Sequence, residues 1–299
     1  MNYILYNPKA NNENNDLNII HVDDEAEKIG VEKISLIGLD VPGFCGALNE
    51  NDKVYICGGD GTLFRFANNA YGLEFPCPLY VIRSGTGNDF LNDIGQMKGD
   101  APVDIRKYLK NLPEVKVNGE RVRCINGAGL GVDGAVCNGV EEFKRSHDKK
   151  KANYTLIALK ELGYNYKRPN AKLTVDGVTY EYSDVWAMST MKGKFYGGGM
   201  MIAPSQDRES GKVSVMAMHG GSRLKTLTVF TKVKKGDHVK HTEMVDIMEG
   251  YDVTVEFDRP CYMQIDGEVF ADVQTYSVHC EKPDATDKNG DNTEPCAEA

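Results

Sequence analysis

Lys53-Val54-Tyr55-Ile56-Cys57-Gly58-Gly59-Asp60-Gly61-Thr62 carries the chain from an apolar run into glycines and on to a residue able to start a helix. Glycines let the backbone turn sharply and press close to a ligand. Successive N–H groups leading into a helix N-terminus suit phosphate. The Asp among them is a poor neighbour for bare phosphate. It fits a bridging divalent cation, or a water-mediated contact that orients a phosphate-bearing ligand. The loop therefore points to a nucleoside triphosphate with magnesium, with Asp60 near the metal. The Gly-x-x-x-x-Gly-Lys-Ser/Thr pattern does not occur in the chain.

Outward from this loop, apolar runs alternate with helical patterns. Tyr3-Ile4-Leu5-Tyr6 predicts a strand ended by Asn7-Pro8, and Lys33 to Ile37 a second. Asp23 to Gly30 predicts a helix end with a glycine stop. Thr62 to Ala70 predicts a helix burying Leu63, Phe66, Ala67 and Ala70. Leu79 to Ile82 predicts a further strand, followed by Arg83-Ser84-Gly85-Thr86-Gly87-Asn88-Asp89-Phe90 and another helix. Such alternation implies a mostly parallel, Rossmann-like α/β nucleotide-binding domain, placed at residues 1–112. Both glycine-rich loops then leave the C-terminal edge of its sheet, where open α/β sheets bind ligands.

Near Pro113 the period changes to two. Val115 to Val117, Arg121 to Ile125, Lys172 to Val175, Thr179 to Tyr182, Val213 to Met216, Val253 to Phe257 and Tyr276 to His279 all alternate. Asn118-Gly119 and Asp176-Gly177 are hairpin-turn signals. Residues 113–280 thus read as an antiparallel, β-sandwich-like domain with one or two helices. The clearest helix is Ala152 to Leu162, with Leu156, Ala158 and Leu159 spaced for burial. Residues 281–299 have the composition of a disordered acidic tail.

The 299-residue chain is 41% hydrophobic and 26% charged, an ordinary globular composition. A formal net charge of −9 argues against nucleic acid as a partner. No apolar run is long enough to span a bilayer, and the N-terminus lacks the pattern of a signal peptide. The default expectation is therefore a cytoplasmic protein. None of the eight cysteines forms a Cys-x-x-Cys pair, which argues against zinc and for reduced, structural thiols. Lys144-Arg145 with Lys149 to Lys151, and Lys232 with Lys234-Lys235, read first as solvated faces. Their functional alternative is attraction to anionic lipid or to a nucleotide's phosphates.

Several segments carry two readings each. In Ser84 to Asp89, the Thr86, Asn88 and Asp89 side chains serve a nucleotide or its metal, or else the segment is a turn with a helix cap. Asn7 contacts a nucleotide, or Pro8 merely stops the strand. Asp133, after the glycine-rich Asn126 to Gly131, meets a substrate hydroxyl or is a solvated Asp beside a bend. Gly197-Gly198-Gly199 followed by Met200-Met201 lines an apolar cleft, or is a bulged strand start. Asp266-Gly267-Glu268 turns two carboxylates into a cleft, one of them as general base, or is a plain hairpin turn.

Taken in order, Gly58-Gly59-Asp60-Gly61-Thr62, Gly85-Thr86-Gly87-Asn88-Asp89-Phe90, Asn126 to Asp133, Gly197-Gly198-Gly199 with Pro204, and Asp266-Gly267-Glu268 resemble the diacylglycerol kinase catalytic-domain superfamily. That superfamily includes bacterial diacylglycerol kinases and the sphingosine and ceramide kinases. The resemblance spans about residues 2–280. The first motif is shared with NAD kinases, whereas the second points to the lipid branch. It implies an α/β domain, a β-rich domain and an active site between them. Phosphoryl would pass from ATP, with Mg2+, to a lipid hydroxyl such as that of diacylglycerol or a sphingoid base. Asn7, Gly58, Gly59, Asp60, Gly61, Thr62, Gly85, Thr86, Gly87 and Asn88 would hold the nucleotide. Asp60 and Asp89 would serve the metal, and Asp266, Glu268 and Asp60 the catalysis. Asp133 would meet the lipid head group. The chain would work peripherally at a membrane surface, as a monomer or a homodimer. A kinase of a soluble metabolite, and a nucleotide-binding regulator without turnover, are the alternatives. The chain departs from the family in having Lys9-Ala10-Asn11-Asn12 after Pro8, Arg83-Ser84 before Gly85, and Glu209-Ser210-Gly211 where a structural magnesium site uses an Asp-Gly pair.

Overall fold

The computed structural model describes residues 1–8, 31–83, 87–97, 99–147 and 154–282. The expected helix end at Asp23 to Gly30, the Lys9 to Asn12 departure, Gly85, Thr86, Lys149 to Lys151 and the tail from 283 lie outside them.

Four strands, β1 (Asn2–Tyr6), β2 (Val31–Ser35), β3 (Lys53–Gly58) and β4 (Leu79–Arg83), form a parallel sheet in the order β2-β1-β3-β4. Tyr6 lies opposite Ser35 and Cys57, and Gly58 opposite Arg83, so the ends of β1, β3 and β4 share one edge. Helices α1 (Val41–Ala47), α2 (Asp60–Ala70), α3 (Asp89–Asp93) and α4 (Arg106–Leu109) accompany this sheet. The α2 helix starts two residues before the expected Thr62, which puts Asp60 in its first turn. Leu63, Phe66, Ala67 and Ala70 are buried, as their spacing predicts. The α1 helix was not legible, because Val41-Pro42-Gly43 reads as a loop until tertiary packing buries Val41 and Cys45.

The second domain is one large antiparallel sheet. Its strands are β5 (Glu114–Val117), β6 (Glu120–Arg123), β7 (Gly127–Gly131), β8 (Ala171–Val175), β9 (Val178–Tyr182), β10 (Val185–Met191), β13 (Val213–His219), β14 (Val245–Gly250), β15 (Asp252–Ile265) and β16 (Glu268–His279). A short hairpin, β11 (Phe195–Tyr196) with β12 (Met200–Met201), stands apart from it. The order is β14-β13-β10-β7-β15-β16-β5-β6, with β8 and β9 branching from β15. The register of β15 shifts between Glu256 and Cys261. Its first half pairs with β8 and its last residues with β7, so one bent strand serves both layers of the sandwich. Helices α5 (Val132–Ser146), α6 (Tyr154–Lys160, continued by a π turn over Glu161–Asn165) and α7 (Arg223–Phe230) cover it.

Two large apolar cores result, beside a small cluster around Ile4 and Cys57. The larger runs from Phe66, Phe90 and Leu112 of the parallel-sheet domain into Ile125, Leu130 and Tyr276 of the antiparallel one. The smaller gathers Val132, Leu162, Trp186, Met218 and Val229 under the helices. On α6 the expected burial is corrected: Ala158 is buried, but Leu156 is 63% and Leu159 41% exposed. The helix packs through Ile157, Ala158 and Leu162, and its other apolar stripe faces outward. No helix among the described residues is long and apolar enough to cross a membrane.

Candidate active site

The shared edge of β1, β3 and β4 brings Asn7, the Gly58 to Thr62 turn and the segment ending in Asn88 together. The first turn of α2 lies at this edge, with the Thr62 and Leu63 N–H groups on the Gly59 carbonyl at 3.0 and 3.1 Å, and such a helix start suits phosphate. Asp60 does more than stand beside phosphates. Its carboxylate accepts the N–H of Asp89 at 3.0 Å and of Phe90 at 3.1 Å, and so caps the start of α3. It crowds Gly87, where a Cβ would come within 2.7 Å of Asp60 Oδ2. It also reaches the second domain, with the Asn126 side-chain amide 3.5 Å away. One carboxylate therefore ties both glycine-rich loops to the start of β7.

Asp89 is buried, and its two oxygens accept the N–H groups of Gly198 (2.8 Å) and Gly199 (2.6 Å). The glycine turn expected to line an apolar cleft is thus pinned to the nucleotide domain, with Asp89, expected at the metal, also holding two of its backbone N–H groups. Among the described residues, no three His, Cys, Asp or Glu side chains converge to hold a metal. Magnesium is commonly held by one or two carboxylates together with a nucleotide's phosphates, and Asp60 and Asp89 both lie at this edge. At the position of the implied structural magnesium, Glu209 instead pairs with Lys107 across the domains at 2.6 Å. Ser210 Oγ donates to the carbonyl of Asp207 at 2.8 Å. Arg83 is spent on Asn92 Oδ1 and the Gln96 carbonyl (2.8 and 2.7 Å).

The Asp266-Gly267 pair is the turn of the β15–β16 hairpin, with Asp266 in the left-handed region (φ 47°) that Asp tolerates better than most residues. Only one of its two flanking acids faces out. Asp266 turns inward and accepts three backbone N–H groups, from Ile125 at 2.6 Å, Asn126 at 2.8 Å and Gly127 at 3.0 Å. This corrects the expectation that both acids open into a cleft. Glu268, partly exposed, meets Arg65 of α2 at 2.9 Å. The pair links the hairpin tip to the helix that begins at Asp60. Asp133 belongs to a separate group, accepting from Ser189 Oγ at 2.6 Å and from the Tyr196 hydroxyl. Burial pushes its carboxyl up, opposed by those two hydrogen bonds.

Sequence reasoning gave no role to Arg65, Asn126, Ser189 or Tyr196, or to the pair Asp93–Arg208. Arg208 Nε donates to Asp93 Oδ2 at 2.6 Å, and Nη2 to Asn126 Oδ1 at 3.1 Å. The guanidinium also donates to the Ile125 carbonyl. Asn126 opens a glycine-rich motif, but nothing local says what any of these side chains meets, since every one of these contacts joins positions more than fifty apart.

Burial pushes the carboxyls of Asp89 and Asp266 up to about 6, with the charge of Asp60 adding to both and the backbone N–H donors opposing. In the unfolded chain such groups titrate near ~4. Between those values the folded chain keeps protons that the unfolded chain has released. The contribution of these groups to stability is therefore full below ~4 and is lost as pH rises through about 6. The amide clamps, however, need ionised carboxylates, so activity should run the other way. Turnover is expected to fall below about pH 6. Over the same interval the unfolding free energy of wild type should gain on that of Asp89→Asn. Urea titrations at about pH 5 and about pH 8 check this, and a pH-independent difference between the two proteins would defeat it.

Over residues 2–117 the sequence matches the profile of the diacylglycerol kinase catalytic domain. Over residues 127–285 it matches the YegS C-terminal NAD kinase beta sandwich-like domain. It is 25% identical over 227 residues to a diacylglycerol kinase of Mycobacterium tuberculosis (strain H37Rv), covering 72% of each chain. Two solved structures from Bacillus anthracis str. Sterne share its fold. One, provisionally described as a diacylglycerol kinase, covers 94% of each chain at a TM-score of 0.67 and 19% identity. Another, described as a diacylglycerol kinase, covers 93% of each chain at 0.61 and 17%.

Proposed function

Because the chain belongs to the diacylglycerol kinase catalytic-domain family, we propose that it transfers the γ-phosphate of ATP to the hydroxyl of a lipid at a membrane surface. The acceptor is of the diacylglycerol or sphingoid type. The observation that carries this reading is the contact between Arg65 and Glu268, which sets an outward-facing carboxylate beside the helix that starts at Asp60. In this reading the phosphates lie on the first turn of α2, over Gly58 to Thr62, with Asn7 and the segment through Asn88 around the rest of the nucleotide. Magnesium, carried in on the phosphates, offsets their charge. Glu268 takes the proton of the attacking hydroxyl as the oxygen bonds to the γ-phosphorus and ADP departs. Its partner Arg65 is well exposed, and such surface pairs are weak enough to part when substrate enters. Asp60, Asp89 and Asp266 position the loops, and Asp133 with Ser189 and Tyr196 receives the acceptor's polar head.

Labelled ATP and a panel of lipids in mixed micelles test the reading. A phosphorylated lipid is expected. Transfer to a soluble acceptor alone would mean a metabolite kinase, and tight ATP binding with no transfer would mean a regulator; either sinks the proposal. The general base is tested separately. Glu268→Gln should lower kcat by ~100-fold with little change in ATP affinity. Asp266→Asn should chiefly lower stability, since it leaves Asp266's backbone donors short of acceptors. The reverse pattern would return the base to Asp266.

A further inference from the structure

The outward stripe of α6 is the least expected surface of the molecule. Leu156 and Leu159, 63% and 41% exposed, lie on one helical face with Lys160, and Tyr164 (85% exposed) continues that face into the π turn. The opposite face is already occupied. Ile157 packs so tightly on α5 that a Cβ on Gly139 would sit 2.9 Å from its Cγ2, and Ala158 and Leu162 are buried. Arg223 donates to the Leu162 and Tyr166 carbonyls at 2.9 and 2.8 Å. That fixes the start of α7 against the π turn and adds Leu224, 76% exposed, to the same region.

We infer that this stripe is the docking face for an anionic bilayer. The inference rests on the lipid-kinase reading for its purpose and on charge for its partner. Around the stripe lie Lys144, Arg145, Lys160 and Lys167 with Glu141, Glu142 and Glu161; Arg145 pairs with Glu141 at 3.0 Å, and the balance is still positive in a chain whose net charge is −9. Exposed apolar side chains among lysines are what an interfacial helix presents to headgroups. A second copy of the chain fits poorly. In a two-fold dimer the same lysines would face one another, and a handful of side chains falls short of a stable interface.

The test is co-sedimentation of the full chain, without ATP, with vesicles of phosphatidylcholine alone or with added phosphatidylglycerol. Wild type should bind the anionic vesicles and hardly the neutral ones. The triple variant Leu156→Ser, Tyr164→Ser, Leu224→Ser should lose about tenfold in partitioning. The pair Lys160→Glu, Lys167→Glu should lose the preference for anionic lipid. Both variants should keep wild-type turnover on a water-soluble short-chain acceptor and wild-type urea midpoints, since all five side chains lie away from the nucleotide loops. Equal vesicle binding by wild type and the triple variant overturns the inference, as does no binding by wild type. So does a dimer, seen by light scattering, that the triple variant dissolves. Because binding is read without nucleotide, a failed kinase assay and a failed docking face are distinguishable.

Discussion

Asp60→Ala is expected to reduce phosphoryl transfer by more than about a thousandfold, the largest effect on activity of any single change in the site. The carboxylate caps α3 through the N–H groups of Asp89 and Phe90, fills the space beside Gly87 and faces the Asn126 amide. Its loss frees the second glycine-rich loop and the β7 start together, so nucleotide and base would no longer be held in register. Displacements near 1 Å cost on the order of a hundredfold, and loss of a charge aimed at the phosphates and their cation compounds that. Asp60→Asn keeps one acceptor oxygen and should fall between the two. Steady-state kinetics with nucleotide affinity measured alongside check the claim. A kcat within tenfold of wild type in Asp60→Ala would remove Asp60 from the centre of the site.

The largest effect on stability is expected at Arg208. Its pair with Asp93 is almost fully enclosed, the side chains being 6% and 3% exposed. The guanidinium also lies over the Phe90 ring, 4.9 Å from its centroid. Arg208→Ala leaves the Asp93 carboxylate buried with the Lys194 N–H (2.8 Å) as its remaining partner among the described residues. Stranding one member of a buried pair costs about 3–5 kcal/mol. Urea unfolding should show a loss of that size. A combined Arg208→Met, Asp93→Leu variant should recover much of it, because desolvation of the charges is then avoided as well. A loss in Arg208→Ala below ~1 kcal/mol would show that the pair is no tether between the domains. Asn126 loses its Arg208 contact too, so a fall in turnover at temperatures where the variant stays folded is also expected.

The parallel sheet, its glycine loops and the change to period two near Pro113 were readable because their causes lie within a few residues: side-chain periodicity, glycine conformational freedom and Asn-Gly or Asp-Gly turn chemistry. The same local signals misled at α6. Leu156, Ala158 and Leu159 all fit a helix, but periodicity alone does not say which of two apolar faces meets the core. The helix α5 was hidden for a related reason, since Gly134 and Gly139 within it lower its helical signal until close packing makes their small size useful.

For the site, the sequence by itself determined which chemical groups arrive at the parallel-sheet edge, and that a hairpin with two acids would follow far downstream. Only the tertiary structure decided what those acids do. Asp266 meets amides about 140 positions away, Asp89 meets the Gly198 N–H 109 positions away, and Arg208 finds Asp93 115 positions away. A carboxylate that reads as a ligand or a base also clamps backbone once buried against unpaired N–H groups, because leaving either partner unsatisfied costs more than the hydrogen bonds that join them. That choice depends on which chain segments pack together, and local pattern carries no record of it.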